Sequence, residues 1–275
     1  MMIKIAHIVH PVIVDSSSDL VVAQPITFET MRIAREFAQK AGAADVKLFA
    51  LQYHDEERVP LPGCFIRVQD LTRSVADVKT FKKRRKLAMI KDILDALYKA
   101  AGDADYMIYT NVDIALQPYF YHTVSKIIHQ GYDAFVINRR TISDRYLAVE
   151  EIPLMYAEIG ESHPGYDCFV FRRDVYPNFK LGTICIGTAW IGRTLLANLV
   201  THAAKFKEFR NEHVTFHIGD SLPWRQDEYH DYFQENWEEY LRHFQQLEAE
   251  HGEFEPTWRS YLLDAGAKRQ FPDFE

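Results

Sequence analysis

An α/β fold, a mostly parallel central sheet flanked by helices and followed by a C-terminal helical tail, is what three features of this sequence predict. Apolar, β-branched runs of strand length alternate with segments of helical period along most of the chain. Tyr106, Met107, Ile108 and Tyr109 make a near-continuous apolar run, the pattern of a strand buried on both faces. Tyr229, Phe233, Trp237, Tyr240, Phe244 and Leu247 recur at helical spacing near the end. With 275 residues, 47% of them hydrophobic, the chain can bury the core of one large domain. The expected boundaries are 1–225 for that domain and 226–275 for the helical extension.

Residues 2–14 form an apolar run broken by Lys4, His7, His10 and Pro11, which reads as the first strand rather than a signal peptide. Thr27 then caps a helix carrying Phe28, Met31, Ile33, Ala34, Phe37 and Ala38. Residues 45–53 alternate as a second strand, and residues 64–68 make a short edge strand after a proline- and glycine-containing loop. A basic run, with Lys79, Lys82, Lys83, Arg84, Arg85, Lys86 and Lys91, leads a helix through Leu87, Ile90, Leu94 and Leu97. Cations in a first turn oppose the helix dipole, so a bound anion is expected there, with a solvated charged face as the alternative.

The central strand, 105–110, is followed by a helix over 119–130 and a strand over 133–138 that delivers Arg139 and Arg140 to its end. Residues 145–160 have no clear period and predict a loop or short helix over the site. Residues 163–173 predict a strand with Asp167 at its mouth, where a carboxylate can be a general base or grip a hydroxyl; an Asx-type turn residue is the alternative. A helix through Ile191, Leu195, Leu199 and Val200, a strand over 212–218 ending near His217, and the aromatic helix complete the order. The aromatic face is a packing surface for the domain or for a second copy of the chain, which makes a homodimer.

The net charge of -7 and pI near 6.0 argue against a general nucleic-acid binder. Cys64, Cys168 and Cys185 have no C-x-x-C spacing and cannot all pair, so a reducing compartment is expected: the cytoplasm, including the inner face of a membrane.

Chemistry concentrates where the central strand ends in Thr110-Asn111-Val112-Asp113. Residues two apart on an extended chain face one side, so the Asn111 amide and the Asp113 carboxylate can meet one ligand. Oxygen ligands of this kind suit Mg²⁺ or Mn²⁺ carrying a phosphate; turn chemistry is the alternative. In open α/β sheets ligands gather at the carboxyl ends of strands, which places His10 and Pro11 near the same crevice.

Tyr109-Thr110-Asn111-Val112-Asp113 resembles the D-x-D region of GT-A-fold (Rossmann-like) glycosyltransferases. His217-Ile218-Gly219-Asp220-Ser221-Leu222-Pro223-Trp224 is similar to the late histidine, glycine, proline and tryptophan segment of family 8, one residue shorter. The resemblance spans most of residues 1–225 in order of elements. It implies a hexosyltransferase-like enzyme moving a sugar from a UDP- or GDP-type donor to a sugar, lipid or protein acceptor, usually with Mn²⁺ or Mg²⁺. It implies metal ligation by Asn111, Asp113 and His217, donor binding by His10, Pro11, Arg85, Lys91, Asn111, Arg139 and Trp224, and catalysis by Asp167. Asn111 departs from the family's first motif aspartate; without a metal, Arg85, Lys91 and Arg139 would neutralise the diphosphate. A nucleotidyltransferase is the nearest rival, but Val9-His10-Pro11-Val12 stands where its glycine-rich loop would be. The other rivals are a non-catalytic interaction protein docking through the aromatic helix and a nucleic-acid binder using residues 82–86.

Overall fold

The computed structural model describes residues 2–220 and 227–264. The chain divides into two compact units, residues 1–71, 93–176 and 203–221 in the first and residues 72–92, 177–202 and 222–275 in the second.

The first unit holds a nine-stranded sheet: β1 (Ile3–Val9), β2 (Ala44–Ala50), β3 (Phe65–Arg67), β4 (Tyr106–Thr110), β5 (Ala115–Leu116), β6 (Ala134–Ile142), β7 (Glu161–Arg172), β8 (Phe206–Phe209) and β9 (Thr215–Ile218). The strand order is β3-β2-β1-β4-β7-β6-β9-β5, with β8 also on β6. Five of the eight pairings among the described residues are parallel, and β7 runs antiparallel to both β4 and β6. β4 is buried at all five positions, as its apolar sequence requires. Helices α1 (Leu20–Lys40) and α3 (Phe120–His129) pack against β2, closing a core that joins Phe28 and Met31 to Val46, Leu48, Ile108, Phe120 and Val170.

Several boundaries differ from the sequence expectation. α1 begins at Leu20, so Thr27 is buried inside the helix instead of capping it. Pro25 lies within the helix and gives up one backbone hydrogen bond; an apolar face running from Ala23 to Ala38 holds the helix through it. β6 continues through Arg139 and Arg140 to Ile142, because register shifts at Asn138 let the strand bend and carry on. β7 starts at Glu161, which puts Asp167 inside the strand rather than at its mouth. Between them, residues 149–151 form a 3-10 turn and α4 (Ile152–Ala157) a short helix.

The basic run does not occupy a helix's first turn. Helix α2 (Ile90–Ala100) starts after it, with Asp92 in the first turn. Within the second unit the run's cations meet carboxylates: Lys79 pairs with Glu235 at 2.6 Å, Lys83 with Glu228 at 2.7 Å, Arg84 with Asp77 and Arg85 with Glu228. That unit also holds α5 (Ile191–His202), α6 (His230–His251) and α7 (Pro256–Leu263). The aromatic face of α6 packs inside it, with Phe233, Trp237 and Tyr240 around Trp190. Among the described residues no helix is long and apolar enough to cross a membrane.

Candidate functional site

Strand pairing brings the site residues together at one edge of the sheet. β1 and β4 are parallel with Ile8 opposite Tyr109, so His10 and Asn111 leave their strands side by side. β7 is antiparallel to β4 with Thr110 opposite Cys168, which sets Asp167 across from Asn111. The two-residue β5 pairs with β9, Ala115 opposite Phe216, and so returns Asp113 to the end of β9.

Asp113 and His217 meet there, with His217 Nε2 3.2 Å from Asp113 Oδ2. The other imidazole nitrogen, Nδ1, lies 2.7 Å from the carbonyl oxygen of Gly219. A carbonyl only accepts, so Nδ1 carries the proton, and a neutral ring presents a bare Nε2 lone pair to the carboxylate. Two lone pairs at this distance require a cation between them: a second proton on the ring, or a metal ion. Burial alone would depress His217, but the Asp113 carboxylate outweighs it and holds the imidazole above its ordinary range. Burial likewise pushes Asp113 up, and His217 with Arg139 more than reverses this, leaving the carboxyl below its ordinary range. Asp113 Oδ1 is buried without a hydrogen-bond partner. Gly219 has φ of +70°, and a Cβ there would sit 3.1 Å from Cβ of Asp144, so glycine is what lets the chain turn and aim its carbonyl at His217.

A second cluster surrounds Asp167. Asn111 Nδ2 donates to Asp167 Oδ1 at 3.1 Å, and Tyr109 donates its hydroxyl to Asn111 Oδ1 at 3.1 Å. Arg139 donates to Asp167 Oδ2 at 3.0 Å. Asp167 is therefore engaged at both oxygens and is 9% exposed. The Arg139 guanidinium is also 3.4 Å from Asp220 Oδ1 and 3.4 Å from His163 Nε2. His163 accepts the Gly165 backbone N–H at Nδ1, 2.9 Å away, and burial followed by the charge of Arg139 holds it below its ordinary pKa. The bulged register of β6 aims Arg139 at this cluster.

Behind Thr110, the buried His7 bonds Thr110 Oγ1 at 2.9 Å and the Tyr121 hydroxyl at 2.8 Å, and burial pushes its imidazole down to about 3. His10 is buried, donates Nδ1–H to the Leu51 carbonyl at 3.0 Å, and is likewise pushed down, to about 4.

Of the residues singled out in the sequence, the structure brings Asn111, Asp113, Arg139, Asp167 and His217 together, with His10 and Pro11 at the same edge. Arg85 and Lys91 belong to the second unit, while Pro223 and Trp224 lie outside the described residues. Sequence reasoning missed His163, Asp220 and Tyr109 as members of the cluster. Asp220 stood inside the late glycine-containing segment, and His163 was hidden in a His-Pro-Gly sequence that reads as a turn.

No family model and no curated protein matches the sequence. Among solved structures the chain is similar to S. aureus TarS. For residues 1–349 of that protein in complex with UDP the TM-score is 0.53 at 9% identity, covering 98% of this chain and 72% of that one. For another structure of the same segment the TM-score is 0.50 at 8% identity, with the same coverage. The longer TarS structure gives 0.53 at 9% identity, and this chain spans 44% of its length. At such identities the likeness is one of architecture, and the chain has the GT-A-like glycosyltransferase fold: a mixed central sheet flanked by helices, with a helical C-terminal region.

Proposed function

We propose that the protein transfers a sugar from a nucleoside diphosphate donor of the UDP type to an acceptor hydroxyl, with a divalent cation at Asp113 and His217. The observation that carries this reading is the His217–Asp113 pair at 3.2 Å beside the unpartnered, buried Asp113 Oδ1. Adjacent ligands of an octahedral Mg²⁺ lie about 3 Å apart when each is about 2.1 Å from the ion. An imidazole nitrogen beside carboxylate oxygen suits Mn²⁺ as well. Among the described residues no group of three or more His, Cys, Asp or Glu could hold a metal. Asn111, which keeps a second lone pair on Oδ1, the donor's phosphate oxygens and water would fill the remaining positions, as is common for Mg²⁺. Support for a UDP-type donor comes from the shared fold of TarS in complex with UDP.

The bound ion would supply positive charge opposite the diphosphate as it leaves. Arg139 adds a fixed cation, oriented by Asp167 and able to meet phosphate oxygens through its planar fork. Asp167 retains lone pairs beyond its two present bonds, and these can hold a sugar hydroxyl or take the acceptor's proton. His10 and Pro11 would flank the nucleoside at the adjoining strand end.

Turnover of a UDP-sugar by the purified protein, with Mn²⁺ or Mg²⁺ present, tests the reading. Asp113→Asn keeps the shape but removes the charge and should lower turnover by about 100-fold or more. Near-normal turnover by a folded Asp113→Asn protein contradicts the assignment.

A further inference from the structure

We propose that a cavity between α2 and the β3 edge of the sheet binds a small carboxylate with an unbranched apolar body. The cavity encloses about 370 Å³, within the range of small-ligand sites, and all of its lining residues belong to the first unit. Its existence follows from side-chain size. The α2 residues that line it, Ala96 and Ala100, are one turn apart, and their methyl groups leave open the space that longer side chains would fill. Facing them, Phe49 supplies a buried floor, and Ile66 and Val68 an apolar wall. Ile66 is 44% exposed because β3 is the last strand on its side of the sheet. Its neighbour Phe65 turns to the opposite face, where it meets Phe28 edge-on. Arg67 spends its guanidinium on Gln52 Oε1 and the Val59 carbonyl, so the cations left to the cavity are Lys47 and Lys99.

No acidic residue lines the cavity. Of the acids around it, Asp103 holds Lys47 at 2.9 Å and Lys4 at 3.5 Å, and Asp105 accepts the Lys4 backbone N–H. Asp95 accepts the Tyr176 hydroxyl, Asp70 pairs with Arg58, and Asp45 lies two residues before Lys47 on β2, outside the lining. Lys99, in the last turn of α2, has no side-chain hydrogen bond or ion pair among the described residues. An apolar trough with an unpaired cation at its rim matches an amphiphilic anion. The ligand's chain leaves water against Phe49, Ile66 and Val68, and its carboxylate meets Lys99. Inorganic phosphate would meet the same cation but leave the apolar walls uncovered.

The charged rim stands apart from the Asp113 site. Asp103, which holds Lys47, precedes β4 and Asn111 follows it, so five strand residues, roughly 17 Å, separate the two. The inference therefore does not rest on the sugar-transfer reading.

The measurement is calorimetric titration of octanoate, decanoate and the neutral octanol into the full chain, in EDTA and without nucleotide. Decanoate should bind about tenfold tighter than octanoate, because two further methylenes leave water. Lys99→Gln should weaken octanoate about threefold to fivefold and leave octanol unchanged. Ala100→Leu, at an exposed helix position, fills the space and should weaken all three ligands about tenfold or more; Ala96→Leu is a second filling variant with the same expected loss. Absence of saturable decanoate binding, wild-type affinity in both filled variants, a Lys99→Gln loss shared equally by octanol, or displacement of decanoate by an equal concentration of inorganic phosphate would overturn the proposal.

Discussion

Asn111 donates its amide to one carboxylate while standing beside another, and this explains why the motif reads Asn-Val-Asp. An aspartate at 111 would set its own oxygen against Asp167 Oδ1, where the amide nitrogen now donates at 3.1 Å. Asn111→Asp should therefore lose roughly 1–3 kcal/mol of stability at pH 8, the cost of a broken buried hydrogen bond plus like-charge repulsion. The loss should shrink at pH 4 to 5, because a pair of close carboxylates binds one proton well above the ordinary range. Chemical denaturation at the two pH values checks this, and an equal loss at both would refute it. His7 offers a second check at this scale. Burial lowers its pKa from 6.5 to about 3, so the unfolded chain binds a proton below pH 6.5 that the folded chain refuses until about pH 3. Stability should accordingly fall as pH drops through that window. The His7 ring resonances should show no titration between pH 5 and 8; a midpoint near 6.5 would contradict its burial with Tyr121 and Thr110.

The elements legible in the sequence were those whose burial repeats along the chain. β4, α3, α5 and α6 show an unbroken apolar run or face, and each lies close to where the pattern predicts it. β5 and β8 did not show themselves, since strands of two and four residues carry too little pattern to separate from loop. Missing β5 mattered most, because its pairing with β9 is what sets Asp113 beside His217. The start of α1 lies earlier than expected because Thr27, a good capping residue type, is here buried within the helix, and the basic run was mistaken for a first turn because its acidic partners, Glu228 and Glu235, are distant in sequence. In the second unit Gly182 has φ of +47°, and a Cβ there would run into the Glu239 carboxylate and the His243 ring. Gly182→Ala should cost about 1–3 kcal/mol, read from denaturant unfolding, through backbone strain and displacement of that pair. Its loss should be largest above pH 4.5. Hydrogen bonding to His243 draws the Glu239 carboxyl down from 4.5 to about 2, so Glu239 contributes stability above pH 4.5 that fades as pH falls through about 2.

For the whole molecule, the sequence carried the α/β class and the polar residues that end the central strand, and the structure supplied the connections. The sheet is less uniformly parallel than its apolar runs suggest, because an antiparallel strand buried among neighbours has the same composition as a parallel one. Asp167 and Arg139 were recognised as polar residues next to apolar strands, but that one grips the other depends on a bulge no pattern announces. In a chain of net charge -7, Arg139 of the first unit is a buried cation held at a fixed point by Asp167. The most direct test of the account is calorimetric titration of UDP with and without Mn²⁺, on the wild type and on His217→Ala. The account predicts that Mn²⁺ tightens UDP binding by about tenfold or more in the wild type and by little in His217→Ala. UDP affinity indifferent to Mn²⁺ in the wild type, or an equal Mn²⁺ effect in both proteins, would contradict it.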